Sequence, residues 1–372
     1  MADVRTGLRG VAWLFYAILV LEILFMISPA ALYFYSVYGP ALSFLDRSPA
    51  TAWLTQFFLP HISVTADPIL NALGGIGGLL ILLGLLVFLA GAVPLYWAKL
   101  RRRGAVTGGL YRFIRHPQYV GLAVMGVGVL LVWPRFLVLV SLIVMLSLYG
   151  VFAHWEEAQC LARFGESYST YQARTGMFVP RALSLRLPHL LPVAGPGRVV
   201  AALALFVAGM GLSVAAAFSL RDYSLSQVAA IYHDNVAILS PARLTQDELE
   251  TAYRTAIADE AVQAALSIAT PTQRLVYVIP QDWHLPDLPV EATPASGGAP
   301  HGSAEFDRSR YKLLFARARS HDPEATGPEI VKAAYGLDPI VVARVDTAAR
   351  RVTAVETPPA HVYWGDIPTP TF

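Results

Sequence analysis

Long stretches without charged residues alternate with short polar segments over the first part of the chain. About 20 apolar residues suffice to cross a hydrocarbon core of roughly 30 Å. The pattern predicts about five membrane-spanning helices, of which the third and fourth are short and form a tight helical hairpin. The predicted spans are 10–38, 68–98, 117–134, 136–153 and 199–220.

Charged and polar residues become frequent after Leu220, which predicts a separate soluble domain with its own core. The expected fold is an all-α polytopic membrane domain at 1–221, followed by a soluble α+β C-terminal domain at 222–372. Thr245 and Glu248 form a capping box that opens a helix running to about Ala269. The other predicted elements are a helix at 227–239, a loop at 286–303, and strands at 274–279, 311–316, 340–345 and 351–356, the last two joined as a hairpin.

Composition supports this division. The chain of 372 residues is 55% hydrophobic and only 15% charged, which is typical of an integral membrane protein. A net charge of +2 gives no reason to expect a nucleic-acid partner. The single Cys160 cannot form an internal disulfide, and the histidines of the C-terminal part lack metal-ligand spacing, so no metal is expected.

The distribution of basic residues predicts the orientation. They cluster before the first span, between the second and third, and between the fourth and fifth, whereas only Arg47, Arg135 and Arg221 lie near the membrane on the opposite side. By the positive-inside rule, the clustered side is cytoplasmic. We therefore expect the protein to lie in the inner (plasma) membrane of a bacterium, with its N-terminus in the cytoplasm. The C-terminal domain would then lie in the periplasm, where it could bind an extracytoplasmic protein.

The first candidate for chemistry is a polar cluster at the start of the third span. Pro117 suits the first helical position, so the free backbone N–H groups behind it would face the polar surface and attract an anion. His116 and Tyr119 lie three residues apart and can share one helix face. Taken alone, these residues also fit a capped and tightly packed helix.

A second polar cluster follows the fourth span. Glu156 and Glu157 are adjacent, and neighbouring helix positions diverge by about 100°, so one carboxylate can face inward while the other bonds elsewhere. A carboxylate about 4 Å from a positive charge gains on the order of 4 kcal/mol at an effective dielectric of 20. Together, the two clusters predict a site for a ligand with both an anionic and a cationic group.

The run TGGLYRFIRHPQYVG, the pair EE after the hairpin, and the run FGESYSTYQARTGMFVP resemble the cofactor-binding half of the isoprenylcysteine carboxyl methyltransferase and phospholipid methyltransferase superfamily. The resemblance spans about residues 106–181. It implies S-adenosylmethionine as methyl donor, with His116, Tyr119, Glu156 and Glu157 as cofactor-binding residues. The resemblance also implies a lipid-borne or small hydrophobic acceptor that enters from the bilayer, with Arg115 and Arg174 as catalytic residues near it.

The acceptor atom is left open by the sequence. A carboxylate acceptor needs no base, and the guanidinium groups of Arg115 and Arg174 are well shaped to orient it. An amine or thiol acceptor has to lose a proton, for which His116, His154 and Glu156 are candidates. A non-catalytic membrane sensor and an envelope assembly factor that acts through the C-terminal domain are the alternatives to an enzyme.

Two further patterns concern the spans. Gly77, Gly84 and Gly91 lie at heptad spacing in the second span, and Gly74 and Gly78 form a small-xxx-small pair, so this helix is expected to pack closely on a neighbour. Glu22 interrupts the first span. It is expected either to be functional or to be protonated and bonded to a neighbour.

Overall fold

The computed structural model of the protein describes residues 17–31, 33, 40–61, 63–101, 104–183, 196–268, 273–285, 288–290, 299–300 and 305–359. The chain forms two compact units. The first unit comprises Met1–Ser36, Gly78–Val129 and Ser141–Pro192, and the second comprises Val37–Gly77, Leu130–Val140 and Val193–Phe372. Each is described by itself.

Apolar helices lie at all five predicted positions. They are α1 (Ala17–Ala31), α4 (Pro68–Leu100), α5 (Pro117–Val132), α6 (Phe136–Phe164) and α8 (Pro196–Ser226). Three of them, α4, α6 and α8, have the length and hydropathy needed to cross a membrane, while α1 and α5 are shorter. The chain is therefore an integral membrane protein with a helical membrane part. The number of five spans stays a prediction, and both ends of the predicted first span lie outside the described residues.

Short helices fill the connections. They are α2 (Pro40–Asp46), α3 (Pro49–Ala52), α7 (Glu166–Arg174), α9 (Gln246–Ile257), α10 (Glu260–Ile268), α11 (Glu329–Ala333), and single 3-10 turns at Trp53–Thr55, Gly109–Arg112 and Arg181–Leu183.

Within the first unit, α4 and α5 approach each other through glycines. A Cβ atom on Gly121 would lie 2.4 Å from the backbone nitrogen of Phe88, and one on Gly84 would lie 2.4 Å from that of Met125. A Cβ on Gly91 would lie 2.9 Å from the backbone nitrogen of Gln118. The predicted close packing of the second span is thus confirmed for Gly84 and Gly91.

The small-xxx-small pair behaves differently, because a Cβ on Gly74 or Gly78 would meet nothing within 4 Å among the described residues. The charge in the first span does have a partner. The Glu22 carboxylate forms an ion pair with the Lys99 ammonium of α4, so the expected bond to a neighbour is present, but as an ion pair instead of a bond from a protonated carboxyl.

The C-terminal part of the second unit contains a six-stranded sheet with strand order β1-β2-β3-β6-β7-β8. Its strands are β1 (Ala229–His233), β2 (Val236–Ser240), β3 (Arg274–Pro280), β6 (Arg310–Ser320), β7 (Ala334–Asp346) and β8 (Arg351–Glu356). Only β2 and β3 pair in parallel, and the other neighbours are antiparallel. Two short strands, β4 (Trp283–His284) and β5 (Ala299–Pro300), form a separate pair. All four predicted strands are confirmed.

The predicted helix at 227–239 is wrong, because this stretch forms the β1–β2 hairpin. Asp234 and Asn235 occupy the turn, where short polar side chains favour reversal of the chain. Most of the predicted loop at 286–303 lies outside the described residues.

The predicted helix from Thr245 is confirmed at its start and interrupted further on. Thr245 and Glu248 form the complete capping box. The helix stops at Ile257, and the carboxylate of Asp259 accepts from the backbone N–H groups of Ala261 and Val262 to open α10. Helix α9 packs across all six strands and α10 packs against β7, which forms the core.

The second unit also takes in the segment between α1 and α4. The backbone N–H of Val64 donates to Pro241 O at 2.7 Å, and Gln56 Nε2 donates to Ala334 O at 2.6 Å. These bonds attach a connection between two apolar helices to the sheet. The domain boundary at residue 221 stays a prediction.

Candidate active site

The two polar motifs of the sequence are joined by backbone hydrogen bonds within the first unit. Ile114 and Gly176 form a parallel β-bridge. The Arg115 N–H donates to Gly176 O at 2.9 Å, and the His116 N–H donates to Met177 O at 3.1 Å. The residues that lead into α5 are therefore tied to the segment that follows α7.

Two glycines make this return of the chain possible. Gly165, between α6 and α7, has φ 54°, a left-handed conformation that suits glycine. A Cβ on Gly176 would lie 1.7 Å from Val179 O, so only glycine fits at the bridge. Helix α7 is anchored from its other side by Tyr171, whose hydroxyl donates to Tyr111 O at 2.7 Å.

Glu157 lies at the centre of the cluster, with a side chain that is 7% exposed. Its Oε1 accepts from Arg115 Nε at 2.5 Å and lies 3.3 Å from His116 Nε2, and its Oε2 accepts from Gln172 Nε2 at 2.7 Å. These partners leave Glu157 little surface for a ligand.

Arg115 is equally enclosed. Besides Glu157, its guanidinium donates through Nη1 to the backbone carbonyls of Gln172 and Thr175, and the side chain is 9% exposed. A guanidinium with these partners fixes the end of α7 and the Glu157 carboxylate in one arrangement.

Glu156 is the open carboxylate of the pair. Its side chain is 36% exposed, and the Tyr119 hydroxyl donates to its Oε1. Its Oε2 lies 3.4 Å from His116 Nδ1, a buried atom with no hydrogen bond among the described residues. A partly open carboxylate of this kind fits a cationic ligand group.

His116 lies between the two carboxylates. Its ring stacks on Tyr119 with centroids 5.5 Å apart and an interplanar angle of 10°, and Tyr119 stacks in turn on Tyr149 at 4.6 Å. Burial opposes the charged imidazole, but the carboxylates of Glu156 and Glu157 outweigh it and raise the pKa of His116 above 6.5.

The structure brings together five of the six residues singled out in the sequence, namely Arg115, His116, Tyr119, Glu156 and Glu157. Arg174 is exposed near the end of α7. His154 is exposed as well, with Nδ1 2.7 Å from Gly150 O of its own helix.

The start of α5 differs from the expectation of an open anion site. Pro117, Gln118 and Tyr119 are buried, and Gly91 of α4 packs against the first two. The first turn thus presents little open surface to an anion.

Sequence reasoning missed two residues of the cluster. Gln172 binds Glu157, and Tyr149 completes the aromatic stack and accepts a hydrogen bond from the Ala30 N–H at 3.2 Å. Tyr149 could have been noticed in the sequence, because it is a residue with a polar hydroxyl in an otherwise apolar helix. Over the described part of the chain, no group of three or more metal-ligating side chains is arranged to hold a metal ion.

A search of curated proteins finds no match. The family model described as phospholipid methyltransferase matches residues 76–167, which include most of α4, all of α5 and α6, and all of the clustered side chains except Gln172. Residues 76–167 therefore match a phospholipid methyltransferase domain, of the integral membrane methyltransferase superfamily.

Proposed function

We propose that the protein transfers a methyl group from S-adenosylmethionine to a lipid-borne or small hydrophobic acceptor at the membrane surface. The observation that carries this proposal is the Glu156 carboxylate, which is held by Tyr119, flanked by His116 and open on one side, in a region that matches a methyltransferase family. An open carboxylate held in this way suits a ligand that carries positive charge.

The residues divide into those that contact the cofactor and those that position them. Glu156 would bind a cationic group of S-adenosylmethionine, with Tyr119 holding the carboxylate in place. Glu157 and Arg115, which are enclosed, would act as positioning residues that keep His116 and α7 fixed. His116 would tune the charge beside Glu156.

When bound, S-adenosylmethionine supplies a methyl carbon already activated by a positively charged sulfur. The chain then has mainly to align the acceptor and exclude water. Fixed side chains such as Glu157 and Arg115 serve alignment, because their partners leave them little freedom.

The candidate residue for contact with the methyl acceptor lies near the end of α7. Arg174 is the exposed guanidinium near α7, whereas Arg115 is occupied by Glu157 and two carbonyls. Arg174 is therefore the better candidate to contact an anionic acceptor. An amine or thiol acceptor would pass its proton to Glu156 or His116, which lie in the same cluster.

The proposed topology has the cluster at the cytoplasmic surface of a bacterial plasma membrane. Its basis is the excess of arginine and lysine in the segments before α1, between α4 and α5, and between α6 and α8. The C-terminal sheet then lies in the periplasm, where it would be available to an extracytoplasmic protein partner.

The test is cofactor binding to the purified full chain in detergent. We expect Glu156→Gln to weaken S-adenosylmethionine binding by about tenfold or more, because a hydrogen bond or ion pair to a charged group contributes about 1.5–3 kcal/mol. His116→Ala should also weaken binding, because removal of the ring that stacks on Tyr119 loosens the tyrosine that holds Glu156, and this loss outweighs the gain from removing a positive charge.

Glu166→Gln is the matched control. Glu166 is an exposed carboxylate in the first turn of α7, and its change should leave binding unaltered. Wild-type affinity in both Glu156→Gln and His116→Ala would rule out the proposed site. Binding without methyl incorporation into any membrane fraction would favour a non-catalytic sensor.

A further inference from the structure

Helix α1 precedes the residues that the family model matches, yet it contacts both α4 and α6. Phe25 stacks on Phe152 of α6 with ring centroids 4.5 Å apart. On α4, the Tyr96 hydroxyl donates to Met26 Sδ at 3.5 Å. Met26 and Ala30 are buried and lie four residues apart, so one face of α1 is covered by these neighbours.

Pro29 interrupts the backbone hydrogen bonding of α1. Proline has no N–H, so the Phe25 carbonyl one turn earlier loses its usual helical partner, and the Ser28 hydroxyl donates to it at 2.9 Å. The first N–H after the proline, that of Ala30, donates to the Tyr149 hydroxyl of α6 at 3.2 Å. At this turn, two hydroxyl groups therefore bond the backbone of α1, and one of them belongs to another helix.

Tyr149 lies between α1 and the open carboxylate of the cluster. It is 2% exposed, and its ring stacks on Tyr119 with centroids 4.6 Å apart and an interplanar angle of 19°. The Tyr119 hydroxyl donates in turn to Glu156 Oε1. Because buried side chains are closely packed, the position of one stacked ring restricts the position of the other. A continuous series of contacts thus runs from the backbone of α1 to Glu156.

We propose that Tyr149 is a positioning residue through which α1 sets the position of Glu156, so that α1 is a functional part of the cofactor site. The inference rests on the proposed function, because its effect is measured on the cofactor bound at Glu156. Tyr149 acts through Tyr119 and does not itself contact the cofactor. A shift of α1 at Pro29 would displace both rings and weaken cofactor binding, and by reciprocity the bound cofactor would hold α1 in place.

The first test removes the bond between Tyr149 and α1. Tyr149→Phe deletes the acceptor for the Ala30 N–H and keeps the stacked ring. We expect S-adenosylmethionine to bind to the full chain in detergent about threefold more weakly or worse, the loss typical of one neutral hydrogen bond. Wild-type affinity in Tyr149→Phe would overturn the proposal.

Tyr33→Phe is the matched control, because it also removes one buried tyrosine hydroxyl. That hydroxyl donates to Gly126 O of α5 at 2.6 Å, whereas the Tyr149 hydroxyl belongs to the series that ends at Glu156. Tyr33→Phe should bind S-adenosylmethionine as the wild type does. An equal loss of affinity in Tyr33→Phe and Tyr149→Phe would mean that any lost hydroxyl has this effect, and it would contradict the proposal.

A double variant separates positioning from a general loss of stability. If Tyr149 acts through the Tyr119 hydroxyl, Tyr149→Phe combined with Tyr119→Phe should bind S-adenosylmethionine as weakly as Tyr119→Phe alone. Two losses of affinity that multiply would show that the tyrosines act independently, against the proposal. All affinities are measured below the melting temperature of the least stable variant.

Hydrogen exchange of the α1 amides gives a second readout. S-adenosylmethionine should slow exchange around Ala30 in the wild type and leave it unchanged in Tyr149→Phe. A tyrosine that only fills space would give equal protection by the cofactor in both proteins, and this result would overturn the proposal. A wild type that does not bind S-adenosylmethionine would contradict the proposed function, whereas equally tight binding by wild type and Tyr149→Phe would contradict this inference alone.

Discussion

Arg115 and Glu157 form a buried ion pair with 2.5 Å between Nε and Oε1, and this pair joins the segment before Pro117 to the polar end of α6. Gln172 of α7 donates to the free oxygen of the same carboxylate. Three segments that are distant in sequence are thus held by one acidic side chain.

We expect Arg115→Ala to destabilise the protein strongly, because it leaves the Glu157 carboxylate without its main partner. Breaking one side of a buried pair costs about 3–5 kcal/mol. Thermal unfolding in detergent checks this, with Arg174→Ala as the control, since Arg174 is exposed. Equal melting temperatures for the two variants would contradict the positioning role of Arg115.

Removal of one hydroxyl tests how Glu156 is held. Tyr119→Phe deletes the donor to Glu156, and we expect S-adenosylmethionine to bind about tenfold more weakly, as for loss of a bond to a charged group. Tyr33→Phe is the matched control, because the Tyr33 hydroxyl donates to Gly126 O at 2.6 Å instead. Equal affinities for wild type and Tyr119→Phe would show that this hydroxyl is dispensable.

The glycine contact between α4 and α5 makes a stability prediction. Gly121→Ala places a Cβ 2.4 Å from Phe88 N, and overpacking of this kind costs about 1–3 kcal/mol. Gly150→Ala, also in a helix, meets nothing within 4 Å among the described residues and should be neutral or slightly stabilising. Urea or thermal unfolding compares the stabilities of the two variants. An unchanged stability of Gly121→Ala would mean that α4 and α5 can move apart at little cost in free energy.

The raised pKa of His116 predicts opposite effects of pH on stability and binding. The imidazolium contributes stability that is fully present below about pH 6.5 and is lost as pH rises through the raised pKa. Over the same range, loss of its positive charge should strengthen binding of a cationic ligand at Glu156.

Melting temperature and S-adenosylmethionine affinity measured between about pH 6 and 9 check both trends. The ligand's own amine titrates in the same way with both proteins, so comparison with His116→Asn isolates the pH dependence that comes from His116. This contribution should be absent in His116→Asn. Identical pH profiles for the two proteins would mean that His116 does not change charge there.

The capping box of α9 gives a prediction for the C-terminal sheet. Thr245→Ala removes the acceptor for the Glu248 N–H and should cost about 1 kcal/mol. Faster hydrogen exchange of α9 amides in the full chain measures the loss. Thr255→Ala is the control, because the Thr255 hydroxyl donates to the Thr251 carbonyl of its own helix and is not part of the cap. Equal exchange in both variants would argue against the cap.

Local patterns predicted much of this fold, because apolar stretches, the Thr245–Glu248 box and the later strands each depend on nearby residues. The β1–β2 hairpin was misread because its three alanines also suit a helix, and the Asp234–Asn235 turn was the overlooked signal. The break before α10 was similarly signalled by Asp259.

The sequence predicted which residues form the cluster, but it did not predict which of them are enclosed and which are open to a ligand. His116, Tyr119, Glu156 and Glu157 stood out by type and spacing, but which carboxylate is enclosed depends on where α7 returns. The partner of Glu22 likewise depends on packing of α1 against α4, far apart in sequence. Contacts between residues that are distant in sequence produce no periodic pattern in the sequence.

The β-bridge between Ile114 and Gly176 closes α5, α6 and α7 into a ring of chain. Because the bridge restrains both ends of this segment, the segment has already lost much of the conformational entropy that ligand binding would otherwise have to remove. Opening that fastening, for instance by replacing Gly176 with a bulkier residue, should loosen the carboxylates and the imidazole together, and recognition would then fail through entropy even though every contacting side chain is still present.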